Sequence, residues 1–150
     1  MARLRVCVVC LGNICRSPLG EAVLRYQSEL QDLDVELDSA GTGSWHVGER
    51  PDSRSIAAGA RIGLDLTGQR ARQLTAADLE RFDWILAMDR SNLENILRLG
   101  TGRARVALFL PDGGEVPDPY TGDDGDFDAV VQMLLPAADR WIAEWKSAGA

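Results

Sequence analysis

The stretch VCLGNICRSPLGEA, residues 9–22, carries a thiol at Cys10 and a guanidinium at Arg16, with Leu11, Gly12, Asn13, Ile14 and Cys15 between them and Ser17 just after. Before it, Leu4 to Val9 is apolar almost throughout and rich in β-branched residues, as in a strand covered on both faces. After it, apolar residues recur at Leu19, Ala22, Val23, Tyr26 and Leu30, which is helical spacing. Ser17 followed by Pro18 reads as an N-cap and a first helical residue. The stretch is therefore a loop running from a strand into a helix N-terminus. Such a loop presents unpaired backbone N–H groups, to which the helix dipole adds partial positive charge. Gly12 and Asn13 are residue types that tolerate left-handed backbone angles, so the loop can curl its amides into a nest for an oxyanion. Arg16 adds a fork of donors that fits two oxygens of a phosphate. A thiol in such surroundings is suited to act as a nucleophile, and Ser17 can offer it a hydroxyl proton.

The rest of the chain repeats the alternation. DVELDSAG predicts a second strand near 34–40, followed by a polar loop with Trp45 and a helix over SRSIAAGARIG. TAADLERF reads as a short capped helix, DWILAMD as a third strand, RSNLENILRLG as a helix and RVALFL as a fourth strand. Residues 111–126 form a long loop, and loops of this length without structure of their own are often functional. A last helix places Phe127, Val130, Val131, Leu134, Ala138, Trp141, Ile142 and Trp145 on one stripe, with both tryptophans expected in the core. Strands alternating with helices imply a parallel sheet covered on both faces, with ligands at the carboxyl ends of the strands. Cys10 stands at such an end.

Composition narrows the class. The chain has 150 residues, enough for one domain (1–150), and is 45% hydrophobic and 26% charged, in the range of a soluble globular protein. No apolar run reaches the length of a membrane span. The start, MARLRVCVVCLGN, pairs basic residues with an apolar run too short for a secretory signal, and no small-residue cleavage site follows. It reads as a buried strand, and the protein is expected to be a cytoplasmic monomer. Three cysteines and one histidine support neither a disulfide framework nor a metal site, and no cofactor is expected. A net charge of -7 argues against nucleic acid as a partner. An anionic substrate must then be held by local groups against an unhelpful global field.

The spacing C-x5-R-S, set between a buried strand and a Ser-Pro helix start, is the signature of cysteine-dependent phosphatases. The fuller text VCLGNICRSP resembles the N-terminal loop of the low-molecular-weight protein tyrosine phosphatases. DSAGTGSWHVGERPD (38–52), GQRARQL (68–74), AMDRSN (87–92) and VPDPY (116–120) resemble further segments of that family, in the same order. The resemblance implies a flavodoxin-like α/β fold of four parallel strands with helices on both faces. It implies that tyrosine-phosphorylated proteins are the substrates and that phosphotyrosine is hydrolysed through a phosphocysteine intermediate.

Residue by residue, the resemblance implies Cys10 as nucleophile, Arg16 as the cation on the phosphate and Asp118 as general acid. From composition alone Asp118 is one of eight acidic residues between 106 and 139, with nothing to single it out. Leu11, Gly12, Asn13, Ile14, Cys15 and Ser17 belong to the substrate loop, while Trp45 and Tyr120 match aromatic walls that would bury a phenyl ring. Asn13 and Ser39 match a hydrogen-bond network that holds the loop, and Asp89 matches a structural support. Two positions depart from many relatives. Gln69 stands where a histidine often completes that network, and an amide cannot titrate. Thr121 stands where some relatives carry a second tyrosine. The resemblance also suggests Cys15 as a redox partner of Cys10, with loop packing the alternative. His46 reads as a surface or pocket-rim residue.

Three other functions use or mimic the same loop. An arsenate reductase on the same fold would need relay cysteines near mid-chain, and none follows Cys15. A non-catalytic phosphoprotein-binding module would be expected to lose the nucleophile or the acid. Phosphoarginine phosphatases resemble GNTCRSP, with threonine where this chain has Ile14.

Overall fold

In the computed structural model of the chain, which describes residues 3–149, four strands form one parallel sheet. Residues 1, 2 and 150 lie outside it, and with them the first residues of the N-terminal segment and the outer bounds of the expected 1–150 domain. β1 spans Leu4–Cys10, β2 Val35–Gly41, β3 Trp84–Ala87 and β4 Arg105–Leu108, in the spatial order β2-β1-β3-β4. The parallel register pairs Cys10 with Gly41 and Val9 with Ala87. The chain leaves β1 toward β2 on one side and returns to place β3 on the other. The gap between the carboxyl ends of β1 and β3 is thus a topological switch point, where sheets of this kind bind ligands. This is the four-stranded flavodoxin-like architecture expected from the sequence.

Alternation along β1 explains why it lies at the centre. Val6 and Val8 face one hydrophobic cluster, shared with α1 (Arg16–Leu30), α2 (Ser53–Ala60) and α5 (Asp124–Ser147). Cys7 and Val9 face another, shared with Leu79, Phe82, Ile85 and Ile96, to which α3 (Asp78–Arg81) and α4 (Arg90–Arg98) contribute. All five residues from Val6 to Cys10 are buried, so both sheet faces are covered. The stripe on α5 is buried from Phe127 to Trp145, and the Trp141 indole N–H donates to the Phe109 carbonyl at 2.7 Å, fixing α5 to the end of β4. α5 opens with a capping box between Asp123 and Asp126. No helix among the described residues is long and apolar enough to cross a membrane.

The expected start of α1 needs correction. The helix begins at Arg16 with Cys15 as N-cap, whose side chain makes no capping hydrogen bond. Pro18 is the third helical residue, where its missing N–H costs nothing because first-turn N–H groups have no helical partner anyway. Ser17 is unavailable as a cap because its hydroxyl is committed to Cys10 and Asn13. The middle helix also stops sooner than its sequence suggested, at Ala60, with Gly63 in the left-handed region shortly after.

Candidate active site

Residues 11–15 bridge β1 and α1, and none of their backbone N–H groups donates to another backbone carbonyl among the described residues. Asn13 has φ of 58°, the left-handed conformation that turns successive amides to one side. Gly12 does not share it. Its missing Cβ instead makes room for the His46 ring, whose Cδ2 would lie 3.1 Å from a side chain there.

The loop is held from behind. The Asn13 amide donates to Ser17 Oγ at 2.8 Å and Ser39 Oγ at 2.9 Å, and its carbonyl accepts the Arg72 N–H at 3.0 Å. Ser39 donates to Gln69 Oε1 at 3.4 Å, and the Gln69 amide donates to the Pro18 carbonyl at 3.0 Å. Gln69 therefore completes with its two amide ends what a histidine could do with two ring nitrogens. Asn13 and Ser17 are buried and do not line the cleft, so of the predicted substrate-loop residues these two shape the loop with their side chains rather than face a ligand. Ser17 Oγ lies 3.0 Å from Cys10 Sγ.

Gly41, opposite Cys10 in the register, sets how closely β2 approaches the loop. A Cβ there would lie 2.8 Å from the Leu11 carbonyl oxygen and 3.1 Å from the Asn13 nitrogen, both backbone atoms that cannot swing aside. Gly41→Ala is expected to push the loop outward and weaken inorganic phosphate binding about tenfold or more, at a stability cost of about 1–3 kcal/mol. Calorimetric titration with phosphate and a thermal melt measure the two effects, and unchanged phosphate affinity would contradict this account.

Arg16 is almost wholly buried, and its guanidinium is aimed by two acceptors. Nη1 donates to Asp89 Oδ2 at 2.7 Å and to the Val116 carbonyl at 2.9 Å. Asp89 uses its other oxygen to cap α4, accepting the Asn92 N–H at 2.7 Å. This is the supporting role expected of it. Arg16 Nε is buried without a partner among the described residues, and Nη2 lies 3.9 Å from Asp118 Oδ2. The unpartnered edge of the fork is thus free for a ligand oxygen.

One cleft of about 190 Å3 gathers the rest: Cys10 and Arg16, with Leu11, Ile14, Trp45, Asp118 and Tyr120. Gly12, Cys15 and His46 complete its lining. Trp45 and Tyr120 are 70% and 49% exposed, so their rings have open faces rather than core contacts. Asp118 reaches the cleft from the loop after β4, and its Oδ1 accepts the Tyr120 N–H at 3.1 Å. His46 hydrogen-bonds Glu49 at 2.9 Å and forms part of the wall. Burial, with Asp52, Cys10 and Asp118 adding to it, pushes the Cys15 thiol up to about 12, so at neutral pH it is protonated. A larger cavity of about 590 Å3 lies between α1 and residues 63–70, but no cysteine lines it. The smaller cleft, where thiol, guanidinium and carboxyl converge, is the candidate site. Among the described residues no cluster of His, Cys, Asp and Glu is placed to hold a metal ion.

Comparison with known proteins agrees with the geometry. The family model described as low molecular weight phosphotyrosine protein phosphatase matches residues 5–149. A low molecular weight phosphotyrosine protein phosphatase of Schizosaccharomyces pombe is 44% identical, over 87% of this chain and 90% of that one. The crystal structure of a low molecular weight phosphotyrosine phosphatase from Vibrio cholerae is 32% identical, covers 98% of this chain and 99% of its own, and superposes with a TM-score of 0.90. The crystal structure of a Drosophila arginine phosphatase is 31% identical, covers 95% and 98%, and has a TM-score of 0.89.

Proposed function

The chain belongs to the low molecular weight phosphotyrosine protein phosphatase family and is a protein tyrosine phosphatase, and we propose that it works through a cysteinyl-phosphate intermediate formed on Cys10, with Asp118 as acid and base. The Cys10 thiolate attacks phosphorus as the bond to the tyrosyl oxygen breaks. The electron pair leaves with that oxygen, which takes the proton of the Asp118 carboxyl. Water then attacks the phosphocysteine and gives its proton to the Asp118 carboxylate, and the S–P bond breaks to release inorganic phosphate and return the thiolate. In both steps the amides of residues 11–15 and the Arg16 fork hold the equatorial oxygens, where charge redistributes in the transition state. The observation that carries this reading is the convergence of Cys10, Arg16 and Asp118 on one cleft.

Leu11, Trp45 and Tyr120 form the slot for the phenyl ring. A shallow slot with open aromatic walls suits a phosphorylated side chain presented by another protein. The protein acts as a single phosphatase domain on tyrosine-phosphorylated proteins in the cytoplasm, as part of signalling. Three free cysteines, all buried, suit a reducing compartment. A redox role for Cys15 requires its thiolate, which its raised pKa makes scarce near neutrality, so trapping of an oxidised Cys10 accelerates as pH rises toward about 12.

The likeness to an arginine phosphatase makes phosphoarginine the competing substrate. Ile14, 8% exposed in the loop, argues for phosphotyrosine, because an apolar residue suits an uncharged ring edge. A threonine hydroxyl could instead meet the polar groups of a phosphoguanidinium. Ile and Thr share β-branching, so Ile14→Thr should spare the fold while adding one hydroxyl. The parent is expected to prefer phosphotyrosine peptides, and Ile14→Thr to shift relative kcat/KM toward phosphoarginine by about tenfold or more. A parent that already hydrolyses phosphoarginine faster would overturn the substrate assignment while leaving fold and nucleophile in place.

A further inference from the structure

The first turn of α2 touches both loops of the active site. The Asp52 N–H donates to the Ile14 carbonyl at 2.7 Å and Ser55 Oγ donates to the Cys15 carbonyl at 3.1 Å, bonding this turn to the phosphate loop. Arg54 reaches the other way. Its Nη2 donates to the Tyr120 carbonyl at 2.9 Å and its Nη1 to the Gly122 carbonyl at 3.0 Å. Among the described residues, these are the only hydrogen bonds that residues 117–122 receive from outside their own loop.

The guanidinium making them is itself fixed. Nε and Nη2 each donate to an Asp52 carboxylate oxygen at 3.0 Å, and this side-chain pairing holds the Asp52 carboxyl below its usual range. The guanidinium carbon lies over the rings of Phe127 at 4.4 Å and Tyr120 at 5.7 Å. Asp52 in turn caps α2 by accepting the Arg54 N–H at 2.8 Å. A helix terminus, a carboxylate and an aromatic face thus hold one planar group in a single orientation, and the loop bearing Asp118 hangs from it. Only a guanidinium can serve two carboxylate oxygens and two carbonyls in one plane while stacking on a ring.

We propose that Arg54 is a positioning residue for the reaction, pinning the acid loop to the phosphate loop through α2 so that Asp118 and Tyr120 stand at a fixed height over Cys10. This rests on the assignment of Asp118 as general acid. Losing the pin leaves the nucleophile and cradle intact but lets the carboxyl wander, which matters most where the leaving group needs a proton most.

The test compares phenyl phosphate, a poor leaving group, with p-nitrophenyl phosphate, a good one. Arg54→Gln is expected to lower kcat/KM for phenyl phosphate about tenfold more than for p-nitrophenyl phosphate, while inhibition by inorganic phosphate changes by no more than about twofold. Arg54→Lys, with charge but no fork, recovers part of the loss. It also carries the comparison if the glutamine variant fails to fold by circular dichroism. In an Asp118→Asn background, Arg54→Gln adds no further leaving-group dependence. The proposal is overturned by equal losses for both esters, by a parallel loss of phosphate binding, by full rescue with lysine, or by an undiminished effect in the Asp118→Asn background. Should Asp118→Asn alone affect both esters equally, the acid assignment fails separately. Equal losses for both esters in Arg54→Gln beside a clear contrast in Asp118→Asn would instead overturn the positioning role alone.

Discussion

Cys10→Ser is expected to fold as the parent does and to lose at least about 10⁴-fold in turnover of an aryl phosphate. The substitution is conservative for the structure. Cys10 is buried at the end of β1, the hydroxyl is smaller than the thiol, and Ser17 Oγ, 3.0 Å from the present sulfur, remains as a hydrogen-bond partner. It is severe for the chemistry because a serine at its ordinary pKa is a poor nucleophile, no lysine lines the cleft, and the histidine that does, His46, is hydrogen-bonded to Glu49 rather than to residue 10. The cradle survives, so phosphotyrosine peptides should bind and remain uncleaved. Cys15 cannot substitute, since its thiol is protonated near neutrality and its pKa lies at about 12. Steady-state kinetics with a thermal melt make the measurement. Retention of more than a few per cent of the parent rate would place the nucleophile elsewhere.

The second large effect belongs to Asp118→Asn. An amide keeps the shape of the side chain and can still accept the Tyr120 N–H that Asp118 Oδ1 now accepts at 3.1 Å, so the loop turn is preserved. What is lost is the transferable proton. General-acid assistance is worth about 10²–10⁴-fold, and the loss should approach that range for phenyl phosphate while remaining well below it for p-nitrophenyl phosphate. Plotted against leaving-group pKa, kcat/KM should become markedly steeper. An equal loss across the series would mean that Asp118 acts through charge alone, on Arg16 Nη2 at 3.9 Å.

The segment that carries Cys10 and Arg16 was legible because it is local. A strand, a loop and a helix start follow one another within residues 4–30, and backbone geometry places these elements without help from the rest of the chain. Four strands in alternation were legible for the same reason, although β4 ends at Leu108, earlier than the apolar run RVALFL suggests. The helix start was misread because Ser17 and Pro18 have strong local preferences that a tertiary demand overrides. The serine is needed against Cys10 and Asn13. Gly12 and Asn13 looked alike in the sequence, yet only Asn13 takes the left-handed conformation, since the need at Gly12 is the neighbouring His46 ring. Arg54 carried no signal at all. Its carbonyl partners lie 66 and 68 residues away, and carbonyls exist at every position.

The bond from Arg16 to the Val116 carbonyl spans 100 residues, and it bears on the order in which the molecule is assembled. Closing a loop of that length demands an entropic cost that is recovered only when the intervening sheet is already in place. During refolding, the strands and the thiol-bearing loop can be in register while the guanidinium still lacks one of the two acceptors that aim it. Return of turnover should therefore lag behind return of the far-ultraviolet circular dichroism of the strands and helices. A chain released from a ribosome only as far as residue 110 would hold Cys10 and all four strands, yet have neither that acceptor nor Asp118.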